Sequence, residues 1–417
     1  LFLSGSVLAG LSQTMTQLIL ARALQGLGAG GIMPLAFILI GEMFSLQERA
    51  KMQGFFSGVW GVSSIIGPLL GGFLVQQLSW RWVFYVNLIP GPIAVALVAL
   101  AWRDQVHTHE KPAVDYLGAA LLSTSVVMLL FGLMEFGAPS SWALIAAALA
   151  LFVILLWVES RAADPILPIP LFRDRLFSTA STHGLLTGWA MFGSLSFIPL
   201  FVQSVLGTSA MQAGITVTPM LLGWVSASVI GTRLILTVGF RRLGVIGASL
   251  FALGSLLMSL VGANSSQASI MVFITIMGIG MGLSIPSFLI AVQTSVERRH
   301  LGTATSTIQF SRSMGGTLGV SVMGAALSFR LASNLAASGL DPKLVLQLLD
   351  PLGAQTVTDA GVRLAMANAI HLVFVIASVA AVLGLLAVFF TPHIELKEKM
   401  KSSAPPPEDD PLLASID

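Results

Sequence analysis

The sequence predicts an all-α membrane bundle of two pseudo-repeated halves with two extra spans between them, and three observations carry that expectation. The 417 residues are 55% hydrophobic and 10% charged, with mean hydropathy +0.89, a balance foreign to soluble domains. The apolar residues gather into runs of membrane-crossing length. A glycine-proline pattern beginning at Gly26 returns at Gly278 with the same spacing.

Twelve apolar runs are read, at roughly 1–15, 18–40, 54–75, 82–102, 117–135, 142–158, 176–202, 212–236, 243–262, 268–292, 303–328 and 364–390. Most supply the ~20 residues that cross ~30 Å of hydrocarbon. The first is short and starts at Leu1 with no Met, basic flank or cleavage site. It is therefore not a signal peptide, and Leu1 is expected to lie inside a longer protein. The second run holds Gly26-x-Gly28-x-Gly30-x-x-x-Pro34. The third, Gly54 to Val75, has no charge and a Gly67-Pro68-x-x-Gly71-Gly72 core. In a water-exposed helix each Gly would cost about 1 kcal/mol and Pro about 3. In a bilayer a neighbouring helix can satisfy the groups that Pro frees, and small residues let backbones approach. A bent, closely packed span is expected there.

The fifth and sixth runs are bracketed by polar linkers at 103–116 and 160–175. The tenth run repeats the second as Gly278-x-Gly280-x-Gly282-x-x-x-Pro286, and the eleventh, with Gly315, Gly316 and Gly319, answers the third. Beyond it, Asp341-Pro342 to Asp350 reads as a short capped helix in the long outer segment 329–363. The tail offers Lys397, Lys399 and Lys401 to the inner leaflet, and Ser402 to Asp417 has a disordered composition.

One alternate set of connections, with the tail, carries 15 of the 21 Lys and Arg, against four (Arg81, Arg330, Lys343, Arg363) in the other. The positive-inside rule makes the richer side cytoplasmic, so the C-terminus is expected inside, at a plasma (inner) membrane. The repeat offset spans eight runs, an even number, so both copies share one orientation. Parallel repeats about an axis along the membrane normal are a transporter arrangement. With six spans per half, an offset of eight leaves two extra spans between halves and two spans missing before Leu1. The expected organisation is 1–102, a four-span N-terminal bundle; 103–175, linkers and inserted spans; 176–392, a six-helix bundle; and 393–417, a cytoplasmic tail.

Ile19-x-x-Arg22-x-x-Gln25-Gly26-x-Gly28-Ala29-Gly30 resembles the fourth-helix motif of the 14-span drug/proton antiporters of the major facilitator superfamily. Gly54-x8-Ser63-x3-Gly67-Pro68-x-x-Gly71-Gly72 is similar to their fifth-helix antiporter motif, with Ser63 where Gly is usual. Trp80-Arg81-Trp82-x-Phe84-x-x-Asn87 with Pro90-Gly91 resembles the start of the next helix. The likeness covers about residues 1–392. The segment Gly231 to Arg242 departs from it, with Leu236 near the place of the usual acidic residue, and the first-helix acid of such antiporters is absent from this chain. The resemblance implies secondary active export of amphipathic or cationic drugs in exchange for protons, by rocking of the halves. The partners it implies are small amphipathic substrates, protons and the lipid bilayer, with a monomeric chain.

Arg22, Gln25, Gly26 and Ala29 share one helix face. Two readings stand for Arg22: an interfacial side chain snorkelling outward, or a buried charge handling protons or substrate. Arg312 lies nine residues into its run, about 13–14 Å deep, on a face with Gln309 and Gly316. A central arginine costs at least ~2.5 kcal/mol, so it is expected to face a cavity or a partner, the alternative being pairing with backbone carbonyls. His183 and His371 are expected as helix contacts. There is no cysteine, hence no thiol chemistry, and no His, Asp or Glu cluster of catalytic or metal-binding spacing. Gly26 to Gly31 fits a dinucleotide fingerprint formally but follows no strand, and no Gly-Lys dipeptide offers a phosphate loop. No enzyme activity, cofactor or nucleic-acid partner is expected. Two rivals remain: a dedicated exporter of a metabolite, lipid or siderophore, and a non-transporting receptor. Cysteines placed at Ser265 and Ser338 should react with an impermeant thiol reagent outside intact cells, and one at Ser402 should not; labelling at 402 would reverse the orientation.

Overall fold

A computed structural model describes residues 1–44, 46–101, 115–135, 138–162, 165–297, 300–337, 345 and 360–392. Among them the helices are α1 (Phe2–Leu11), α2 (Met15–Met43), α3 (Leu46–Gln77), α4 (Trp82–Tyr85), α5 (Pro90–Ala101), α6 (Tyr116–Met134), α7 (Pro139–Glu159), α8 (Arg175–Ser204), α9 (Ala210–Val238), α10 (Phe240–Met258), α11 (Gln267–Ser295), α12 (Leu301–Ala337) and α13 (Ala360–Phe389). Each expected apolar run falls on helix within the described residues. Ten helical segments in the described residues are long and apolar enough to cross a membrane, while the ten residues of α1 span only about 15 Å.

Side-chain caps fix several helix starts. Thr14, Asp115, Asp174 and Ser266 each accept a backbone N–H from the first turn that follows, and Ser209 forms a reciprocal capping box with Gln212. These bonds satisfy donors that a helix start leaves open. Gly239 joins α9 to α10 at φ +87°, a conformation that side chains with a Cβ rarely adopt.

The repeat is visible as geometry. Both bounds of α2, moved by the offset between Gly26 and Gly278, coincide with the bounds of α11, and each helix has 29 residues. In the second half the glycines seat helices on one another's backbone. A Cβ on Gly278 or Gly282 would strike the carbonyl oxygen of Met220 or Trp224 on α9, and one on Gly315 that of Leu185 on α8. A Cβ on Gly319 would come within 2.7 Å of the Trp189 carbonyl oxygen. Around these contacts Phe201, Met220, Met277, Met323 and Phe374 are fully buried, each at 0% exposure. In the first half Gly28 meets Phe2 of α1 just as its repeat-mate Gly280 meets α10, but Gly26, Gly30, Gly67 and Gly71 have nothing within 4 Å of an added Cβ.

The span expected over 82–102 is present over Trp82–Leu100, with a 3-10 turn at Val86–Leu88 between α4 and α5, where Pro90 lacks the N–H that would continue a helix. The segment expected to leave the bundle at 329 continues α12 to Ala337. Leu327, Leu331 and Leu335, one helical turn apart and 0–1% exposed, hold it to the core, and Asn334 donates to the Ala365 carbonyl at 3.2 Å. Gly315 and Gly316 pack inside the second half, on Leu185 and Phe192 of α8. The short helix expected over 341–350 lies outside the described residues save Val345, as do the 103–114 linker and the tail from 393.

Gly315→Ala should lower the melting temperature of the purified protein, with an overpacking cost of about 1–3 kcal/mol, because Leu185 cannot withdraw its carbonyl. Gly214→Ala, within α9 and with open space around it, should be neutral or stabilising by up to ~1 kcal/mol. Equal effects of the two would show that the glycine contacts carry no packing role.

Candidate functional site

The two halves meet along α3 and α9 and where α2 approaches α11 and α12. On the first seam, a Cβ at Gly54 would sit 3.4 Å from Thr232 Oγ1, one at Gly61 would sit 2.7 Å from Val225 Cγ2, and the rings of Trp60 and Trp224 lie 5.6 Å apart at 47°. On the second, Gln293 of α11 donates to the Phe37 carbonyl at 3.2 Å and to Thr305 Oγ1 at 3.3 Å.

Between the seams is a narrow cavity of about 40 Å³, partly open to the surface. Its first-half wall is Met33 and Phe37 of α2 with Phe56 and Trp60 of α3. The opposite wall is Trp224, Val225 and Ser228 of α9, Ile285 and Pro286 of α11, and Arg312 of α12. Phe37 and Phe56 rings pack at 6.0 Å. The repeat offset carries Met33 onto Ile285 and Trp60 onto Arg312, so four lining residues form two symmetry-related pairs. Such a cavity straddles the axis that relates the halves. It presents an apolar, aromatic wall and one cation between the halves.

Arg312 is the cavity's charge. Its Nη2 lies 3.9 Å from Met33 Sδ, a weak acceptor, and its backbone is seated against Gly188 of α8. Gln309, one turn earlier, is buried with Nε2 unpartnered in the described structure and does not line the cavity. Arg22 sits elsewhere, exposed near the start of α2, some 16 Å along the helix from Met33. It donates to Gln25 Oε1, Gln25 donates to Ser6 Oγ, and Asn87 reaches the same hydroxyl at 3.4 Å, while the Arg22 guanidinium lies 5.8 Å from the Phe84 ring centre. This network ties α1, α2 and α4 together and does not join Arg312.

The third-run motif falls on α3, which runs helical through Pro68 and Gly72. Its first residue, Gly54, reaches α9; Ser63 is exposed. Gly61 makes the closest approach and was not singled out by the motif. Pro34 and Pro286 lie inside α2 and α11, and only Pro286 lines the cavity. His183 is buried, 3.3 Å from Thr187 Oγ1 and 5.0 Å ring to ring from Phe288; His371 is exposed on α13. No group of three or more His, Cys, Asp or Glu side chains gathers among the described residues.

Comparison with known proteins agrees with this architecture. The chain is 38% identical over 361 residues to the multidrug transporter protein MdtP of Bacillus subtilis, covering 85% of this chain and 65%, a little under two thirds, of that protein. It is 35% identical over 417 residues to multidrug resistance protein 3 of the same organism, covering 95% of this chain and 81% of the relative. Among solved structures, the human organic anion transporter MFSD10 superposes with TM-score 0.60 at 14% identity, over 93% of this chain and 74% of that one, a likeness of fold alone. The sequence model of the Major Facilitator Superfamily matches residues 1–320. This chain belongs to the major facilitator superfamily, a family of membrane transporters and not of enzymes.

Proposed function

We propose that the protein exports amphipathic small molecules in exchange for protons, by alternating access of its two halves around the central cavity. The observation that carries this reading is the cavity itself, walled from both halves by the repeat-related pairs Met33/Ile285 and Trp60/Arg312. A site on the symmetry axis is reached from either side when one half rocks against the other. The relatives named as multidrug transporters support the substrate class.

The 14-span organisation is part of the same proposal. Gly26, Gly30 and Gly67 stand open, whereas their repeat-mates Gly278, Gly282 and Gly319 are covered by α9 and α8. Two helices in the corresponding places would cover the open glycines, complete a first half of six, and give Gly67 and Gly71 the close-packing role of the antiporter motif. The same reading assigns proton coupling to a carboxylate on those two helices. The domain limits at 102, 175 and 392, the inner-membrane location and the cytoplasmic C-terminus rest on the run pattern and the basic asymmetry.

Two measurements test the proposal. In proteoliposomes, an imposed pH gradient should drive accumulation of an amphipathic dye, and a protonophore should abolish it; accumulation indifferent to the gradient in both directions would remove proton exchange. For the motion, Gly54→Cys with Thr232→Cys places a pair across the α3–α9 seam in a chain with no native cysteine, at a separation suited to a disulfide. Oxidation should arrest transport and reduction should restore it. Undiminished transport by the cross-linked protein would mean that this seam does not open.

A further inference from the structure

We propose that the central cavity selects amphipathic anions, with the Arg312 guanidinium as counter-charge and the Trp60–Trp224 pair as the platform for the apolar body. The proposal rests on reading the cavity as the transport site and adds the charge of what it carries.

Arg312 brings a fork of five N–H donors and a permanent charge into a wall that offers them little. The cavity is lined otherwise by aromatic and aliphatic side chains and the Ser228 hydroxyl. Among the described residues no carboxylate lines it and no ion pair engages Arg312; its partner is the Met33 sulfur at 3.9 Å. A carbonyl-satisfied packing arginine would show carbonyl acceptors at its head group, and none is present among the described residues. A guanidinium held out of water gains most from a carboxylate-like group, which can take two parallel N–H bonds.

The aromatic faces alone would suit a cation. In this cavity they do not stand alone, because any cation stacked on Trp60 or Trp224 shares the same narrow cavity with Arg312 and is repelled by it at low dielectric. An anion with an aromatic or polycyclic body satisfies both features at once: charge at the α12 wall, ring on the Trp60–Trp224 face. Arg22 cannot supply the same anchor, being held by Gln25 and Phe84 in the first half.

The test compares binding of three pyrene probes to the full-length purified protein, read by quenching of tryptophan fluorescence: pyrenebutyrate, its neutral methyl ester, and pyrenebutylamine. The wild type should bind the carboxylate most tightly. Arg312→Gln should weaken the carboxylate about 10- to 100-fold, the equivalent of one charge-assisted pair, and leave the ester within about twofold. Since Arg312→Gln could disturb folding, Met33→Glu provides a second arm. It keeps Arg312 and sets an internal carboxylate beside it, and should abolish the preference for pyrenebutyrate. Preferential binding of the amine by wild type, or equal weakening of all three probes in both variants, would overturn the anion site. Binding is independent of any gradient. Anion preference without pH-driven transport would refute proton exchange alone, and pH-driven transport with amine preference would refute this inference alone.

Discussion

Everything in the second half depends on backbones brought into contact through glycine. Within lipid, apolar side chains gain little by leaving one apolar medium for another, so helices associate through close van der Waals fit. Gly278 and Gly282 seat α11 on α9, a Cβ added to Gly247 would come within 2.6 Å of the Gly280 carbonyl oxygen, and Gly188 receives the Arg312 carbonyl of α12. That last contact links fold to function. Arg312 reaches the cavity because α12 can lie directly on α8, and a side chain at 188 would push the guanidinium's whole helix outward.

Contacts between the halves are of another kind. They are made by side chains: the tilted Trp60–Trp224 pair, Gln293 on the Phe37 carbonyl, and Met33 against Arg312. Gly54 and Gly61 come near α9, but they meet Thr232 and Val225 side chains and not backbone oxygens. A hydroxyl or a valine can turn aside, whereas a carbonyl wedged on a glycine cannot. This difference is what a rocking mechanism requires: rigid bodies within each half and an interface between them that can part.

The helices were legible because hydropathy at membrane length is an unambiguous signal, and the Gly26/Gly278 match fixed the repeat to the residue. The depth of Arg312 was enough to place it at a cavity, since the cost of a central charge leaves few alternatives. The aromatic wall was not legible, because a Trp or Phe in a membrane span reads equally as lipid-facing. The repeat offset held part of the answer, carrying Arg312 to Trp60 and Ile285 to Met33, but Trp224 has no repeat-mate within 1–417. The end of α12 was misread because Arg330 and Asn334 interrupt the apolar run, although Leu327, Leu331 and Leu335 recur at helical spacing through them. Gly61 escaped notice because the motif directs attention to Gly67. Which glycine is in contact depends on the neighbouring helix, and that is information a single span does not contain.

The Trp60/Arg312 pair shows why a duplicated fold is useful here. Duplication gives the two walls matching backbones, which a symmetric rocking motion needs, and it puts corresponding positions face to face across the cavity. Chemistry at those positions is then free to diverge with little disturbance to the helix packing within each half, because both side chains line the cavity between the halves. An apolar ring on one side and a cation on the other make a binding surface with a head and a body. The charge, costly by a few kcal/mol in the bilayer, is tolerated where its helix is already held by Gly188 and Gly315 and where the space before it can admit water or an anion. The cavity's polarity is thus set by a divergence between repeats, while its shape is set by what the repeats retain.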